Sequence, residues 1–522
     1  MSDHATALPV PPAPEPAHRR GRKGLVAAAV AGVAVLAVAG GGYAAWQAFS
    51  GSGPRPADVL PQETFALVSI DLDPAGGQKL EALRTLRKFP SIREDAGLDE
   101  DTDPVQAIFE QVQQEGTCQD LDYAQDVEPW IGQRAGLGGV TLDKTPVPVA
   151  VVQVSDPGKA RTGVEKLLAC GDAEDQAAYV LTDDYLVLSD TEAHARTIVD
   201  AGEKSPLTED QTFQEWRDEV GGEGIVEMYA APEAAAYLED TVATYGREIL
   251  GQDPTAAGGE ELTQALEDFE GAAAALRFAD GGVELSFAGG GPEGGSDQVG
   301  EHVAALPADT AAVLAFAVPE QLRTALQDSA GDGGASPEGP FGFVAQALAG
   351  IGLSYPDDVL TVLGDSVSLS VGGDAPASTD DVTPASVPVG LLVHGDADAI
   401  SEVIAKVEKG AGFSLSDLPA YVEQGDDEVA LSTQQEYADQ LVDTGELGDD
   451  EVFSSVVSEA DDAQGVFFLR LDDEWRALLQ DVAKRDESAR PVVEDLDVLR
   501  AVGLSTWVDG DTGHLELKVA TR

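Results

Sequence analysis

The chain has 522 residues, of which 43% are hydrophobic and 24% charged, and its formal net charge is −64 at pH 7. That apolar share belongs to a folded protein rather than an acidic disordered chain. The charge itself disfavours nucleic acid and anionic lipid headgroups as partners of the bulk surface and fits solubility or salt tolerance.

Residues 1–23 contain the run PVPPAPEP from Pro9, which has little to bury and reads as a disordered tail. Such a tail is too short for a signalling domain of its own. Arg19, Arg20, Arg22 and Lys23 then precede the uncharged run 24–49, with Tyr43 and Trp46 near its far end. About 20 apolar residues cross a bilayer as a helix, and basic residues stay on the cytoplasmic side. The expectation is a single-pass transmembrane helix at 24–49, with the N-terminus cytoplasmic and the rest extracytoplasmic. Ala37-Val38-Ala39 offers a small-residue cleavage site, but the leading region is long for a signal peptide, so an uncleaved anchor is preferred.

Beyond the anchor, Phe65 to Asp71 reads as a strand and DLDPAGG from Asp71 as its end and a turn. Gln78 to Phe89 is an amphipathic helix with Leu80, Leu83 and Leu86 on one side and Arg84, Arg87 and Lys88 nearby. It is expected to pack on its own sheet, membrane-surface contact being the alternative. Asp99, Asp101, Asp103 and Glu110 fall at positions 1, 3, 5 and 12 of a calcium loop. Pro104 stands where that loop needs glycine and is a good helix start, so these acids are read first as caps of a helix Val105 to Val112. A Ca2+ site is the weaker alternative. Cys118 and Cys170, both in the expected exterior, are assigned to a structural disulfide worth about 4 kcal/mol by loop entropy.

Further strands are expected at Ala135 to Leu142 and Val147 to Val154. Asp156 then caps a helix with Val164, Leu167 and Leu168 on one side. YVLT and YLVLS flank Asp183-Asp184 as a hairpin, followed by a helix from Thr191 to about Ala201 and strands at Gly224 to Ala230, Ala272 to Phe278 and Val283 to Phe287. The middle of this series is a ferredoxin-like βαββαβ order with extra strands at both ends. An α+β fold with an antiparallel sheet and helices on one face follows, its other face solvated or available to something apolar.

The same series recurs. LPQETFALVSI from Leu60 answers LPADTAAVLAF from Leu306, and PVAVVQVSDPG from Pro148 answers PVGLLVHGDAD from Pro388. AAYVLTDDYLVLS from Ala177 aligns with PAYVEQGDDEVALS from Pro419, GIVEMYA from Gly224 with GVFFLRL from Gly465, and GVELSFAG from Gly282 with GHLELKVA from Gly513. Matches kept in order imply two related repeats, 56–290 and 301–522, joined by a Gly-rich linker at 291–300.

The basic-then-apolar N-terminus, LPQETFALVSIDLDPAGGQKLEALRTLRKFP from Leu60 and DVEPWIGQRAGL from Asp126 resemble an actinobacterial family of membrane-anchored extracytoplasmic proteins, catalogued as a domain of unknown function. The resemblance implies location and brings no catalytic residues.

The six histidines, at 4, 18, 194, 302, 394 and 514, show no metal-ligand spacing along one helix, and HExxH, GxSxG, Walker and SxxK motifs are missing. An enzyme is therefore not expected, a hydrolase of wall or peptide substrates being the remote alternative. The leading expectation is a non-catalytic binding or scaffold protein for an envelope partner. The second is a carrier or sensor of an apolar ligand such as a lipid, held in a hollow on the sheet.

Overall fold

Among the described residues 16 strands, several with apolar residues at every second position, assemble into one antiparallel sheet. The computed structural model describes residues 54–72, 78–91, 105–106, 109–110, 113, 121–169, 178–237, 267–279, 281–290, 298–331, 342–412, 414–415, 418 and 420–522. The apolar run 24–49 and the tail before it lie outside them. Among the described residues no helix is long and apolar enough to cross a membrane.

In the first half the chain runs through α1 (Pro56–Val59), β1 (Thr64–Asp71), α2 (Gln78–Leu86), β2 (Ile131–Leu142), β3 (Thr145–Val154) and α3 (Pro157–Ala169). It continues with β4 (Ala178–Leu181), β5 (Tyr185–Ser189), α4 (Glu192–Gly202), α5 (Gln211–Glu219), β6 (Val226–Ala230), β7 (Gly271–Ala279) and β8 (Gly282–Gly290). The second half opens with α6 (Gly300–Ala304), β9 (Ala312–Ala317), α7 (Glu320–Gly331), α8 (Gly342–Gly350), α9 (Asp357–Leu363), β10 (Ser366–Val371), β11 (Val389–His394) and α10 (Ala397–Ala411). It closes with β12 (Tyr421–Gln424), β13 (Glu428–Ser432), α11 (Gln435–Val442), α12 (Glu451–Val456), β14 (Gly465–Arg470), α13 (Asp473–Arg485), α14 (Arg490–Val498), β15 (Leu499–Asp509) and β16 (Thr512–Thr521).

The strand order is β12-β13-β11-β10-β9-β14-β15-β16-β8-β7-β6-β1-β2-β3-β5-β4. Read inward from either edge, each half lists its strands in the same sequence. The halves meet where β8 and β16 pair antiparallel from Gly282 with Ala520 to Gly290 with Thr512. This order departs from a ferredoxin-like unit, which would set β6 beside β3. Here β1 and β2 lie between them, because β2 and β3 form a tight hairpin and β1 pairs with both β2 and β6. The hairpin turns on Asp143 and Lys144, both at positive φ (50° and 66°), the backbone of a two-residue type I′ turn whose twist suits the strands.

Helices cover both faces, which corrects the expectation of helices on one. On β3 and β5, Val149, Val151, Tyr185 and Val187 are buried with α4 and α5, while Val154 and Leu186 are buried with α3. The second half repeats this division: Leu392 and Ala430 pack with α11 and α12, and Val393 and Val429 with α10. These strands are apolar at both parities, and burying both sides removes more apolar area from water than a one-sided sheet could.

Local signals fix the helix starts. Asp156 Oδ1 accepts the Lys159 N–H, Asp210 Oδ1 that of Phe213 and Asp396 Oδ1 that of Ala399, each filling a donor that the first turn leaves open. In α2, Ala82 and Leu86 pack with Val226, Leu276 and Phe278 of the sheet. That helix therefore packs on its own sheet, through Ala82 and Leu86.

Candidate functional site

Sequence-derived site residues fall mostly beyond what can be placed. Asp99, Asp101, Asp103, Cys118 and Cys170 lie outside the described residues. Glu110 is exposed and accepts a hydrogen bond from Gln106 Nε2 at 2.7 Å.

Two other features stand out, and the first is one face of the central sheet. Because neighbouring residues on a strand point to opposite faces and the ladders are in register, the residues sharing a face can be read from the pairing. Val367, Phe316, Gly465, Thr506, Leu515, Phe287, Ala274 and Met228 form one row across β10, β9, β14, β15, β16, β8, β7 and β6. The adjacent row runs Leu369, Leu314, Phe467, Leu504, Leu517, Leu285, Leu276 and Val226. Neither row holds an ionisable side chain, in a chain with 95 acidic residues.

Within these rows Leu314, Leu369, Met228, Phe287 and Phe316 keep 50%, 47%, 46%, 43% and 41% of their surface exposed. Helices stand around this floor on the same face: α3 over β3 and β5, α2 over β6 and β7, and α10 over β11 and β13. The result is an apolar floor between helical walls, an arrangement that can hold apolar matter out of water.

The opposite face of the same strands is polar at the junction of the halves. Arg277 Nη1 lies 3.2 Å from Glu284 Oε1, and Lys518 Nζ lies 3.4 Å from Glu516 and 3.8 Å from Glu284. Lys518 also donates to Ser458 Oγ at 2.7 Å. These groups satisfy one another, so this face is closed by its own side chains.

The second feature is a corner of the second half. His394 ends β11 and Glu428 opens β13 directly opposite it, while Ser366 of β10 is its partner on the other side. The His302 ring, carried by α6, stacks on His394 at 3.6 Å between centroids and 10° between planes. Its Nδ1 is 2.7 Å from Ser366 Oγ. His394 Nδ1 stands 3.8 Å from Glu428 Oε2, and its Nε2 is buried with no hydrogen-bond partner.

Burial, and then the neighbouring His302, hold the His394 pKa down to about 4, so its ring is neutral at physiological pH. Burial, reinforced by Asp427, pushes Glu428 up to about 7. Donor atoms of His394, Asp427 and Glu428 all lie within 4.8 Å of one another. Spacing rules along one helix could not find this group, because its members come from two strands. The available signal was Asp427-Glu428 opening a strand whose hairpin register places it against the end of PVGLLVH.

A family described as a protein of unknown function (DUF3352) matches residues 26–176, which include α1 to α3 and β1 to β3. That part of the chain is similar to a domain of unknown function. No curated protein and no solved structure matches the chain.

Proposed function

We propose that this is a non-catalytic binding protein of the cell envelope, anchored through residues 24–49, whose uncharged sheet face takes an apolar ligand of the acyl-lipid class. The observation that carries the reading is the pair of rows just described, free of charge over eight strands and holding five large side chains left half in water. Exposed apolar surface on that scale is costly to maintain and favours an occupant. A protein partner would favour a face with Arg, Tyr or Trp anchors and a polar rim. This floor has leucine, phenylalanine, valine and methionine instead, so a lipid chain fits it better.

The anchor rests on the basic cluster and apolar run in the sequence, and it would hold such a protein where lipid is available. The same reading takes 56–290 and 301–522 as two copies of one unit, joined by the linker 291–300. Their shared strand order supports it, as does the seam, where Ser286 and Glu516 occupy matching positions and pair with each other. Both copies then contribute to one floor.

The test is organic extraction and mass spectrometry of the purified full-length chain, with uptake of a fluorescent fatty-acid probe measured beside it. Leu314→Asp combined with Phe287→Asp places charge on both halves of the floor at exposed positions where folding is little affected. Probe affinity is expected to fall at least about tenfold, since a charge facing an acyl chain must be desolvated. Equal uptake by the variant and the natural chain would remove the proposal.

A further inference from the structure

We infer that His394, Asp427 and Glu428 form a binding site for one divalent cation of the zinc class. The geometry is that of ligands held ready by the sheet rather than of a surface cluster of acids. His394 and Glu428 are fixed by their places on β11 and β13, and the Asp427 carbonyl accepts the Gly395 N–H at 2.8 Å, pinning the strand end that carries both carboxylates. Ser366 and the stacked His302 ring restrict how the His394 ring can turn.

The spacing suits an ion better than a hydrogen bond. A separation of 3.8 Å between Nδ1 and Oε2 is too long for a hydrogen bond. Two donors each about 2.1 Å from a shared zinc ion stand between roughly 3 and 4 Å apart. A neutral imidazole with two carboxylates selects a borderline cation, since Ca2+ and Mg2+ prefer oxygen ligands alone. Three protein donors leave a fourth position open, as in zinc sites that keep a bound water.

The first half cannot do the same. Its matching positions, given by the pairing of Gln153 with Tyr185 and by the hydrogen bond from Val154 N–H to the Asp184 carbonyl at 2.7 Å, hold a glutamine, a tyrosine and one aspartate. The expected stoichiometry is therefore one ion per chain, although the fold offers two corners.

Cobalt(II) titration of the chelator-treated full-length chain tests this, because nitrogen ligation at low coordination number gives visible bands that exposed carboxylates do not. One equivalent should develop such a spectrum and be displaced by Zn2+. His394→Ala and Glu428→Gln should each weaken binding at least about tenfold, and Tyr185→Phe in the other corner should leave it unchanged. Circular dichroism without metal checks that each variant is folded, Glu428→Gln keeping the shape of the strand end should His394→Ala not fold. No visible band from the natural chain, or the same band and affinity in folded Glu428→Gln, would overturn the site and leave only surface acids as the binders.

Discussion

At matching ends of the two half-sheets the same backbone corner is filled in two ways. In the first half Tyr185 is fully buried and its hydroxyl donates to the Pro54 carbonyl, while Arg134 Nε reaches Asp71 Oδ2 at 2.9 Å and Gln153 Oε1 accepts the Gln133 N–H at 3.1 Å. In the second half His394 and Glu428 face each other beyond hydrogen-bond reach and a buried ring nitrogen has no partner. Polar groups in a folded interior are nearly always satisfied, so a corner that closes on itself is structural and one that does not is open to a ligand. The difference lies in side chains alone, since strand order and the hydrogen bond across the hairpin end are shared.

The likeness of the halves is tested most forcefully in their cores. Phe213 of α5 meets Tyr229 of β6 edge to face at 5.0 Å and 86°, and Phe453 of α12 meets Phe468 of β14 at 5.2 Å and 74°. Both helices are capped by an aspartate three residues before the phenylalanine, Asp210 and Asp450. Phe213→Ala and Phe453→Ala should each cost about 3 to 5 kcal/mol, as truncation of a buried aromatic does. Urea unfolding measures both. A loss under about 1 kcal/mol in either half would mean that the two pairs are not equivalent anchors.

Strand positions, the antiparallel sheet and the hairpin at Asp183-Asp184 were legible in the chain because alternation and turn residues act locally. What was not legible was register. Aligning PVAVV with PVGLL sets Val149 against Val389, whereas strand pairing sets Val149, opposite Ser189, against Gly390, opposite Ser432. A slip of one residue exchanges the two faces. It also pairs His394 with Val154 instead of Gln153, which hides the corner. The helices misread as lying on one face have the same origin, since a strand apolar at both parities carries no local sign of which helix takes which side.

A milder perturbation probes the closed corner. Tyr185→Phe removes one hydrogen bond and adds no volume, so a loss of about 1 kcal/mol is expected in urea unfolding. Burial also pushes this phenol well above its ordinary range, so the bond should persist into alkaline conditions. A neutral result would say that the corner is held by the Arg134–Asp71 pair and packing alone.

The smallest effect concerns a position where the halves differ in polarity. Strand pairing sets Glu227 of β6 against Val466 of β14, one a largely buried acid and the other a buried core residue. Burial is the main influence on the Glu227 carboxyl and raises its pKa, while the Gly224 N–H at 3.2 Å and the charges of Arg55 and Arg217 oppose the rise. A carboxyl whose folded pKa lies above its unfolded value binds its proton more tightly in the folded chain. The resulting stabilisation is full below the ordinary value of 4.5 and is lost as pH rises through the folded value. Glu227→Gln keeps an acceptor for Gly224 and never ionises. Its unfolding midpoint should match that of the natural chain in acid and exceed it at neutral pH, the gap opening above 4.5. A variant less stable than the natural chain at neutral pH would show that Arg55 and Arg217 outweigh burial, and that the first half uses at this position an ionised group which the second half replaces with packing.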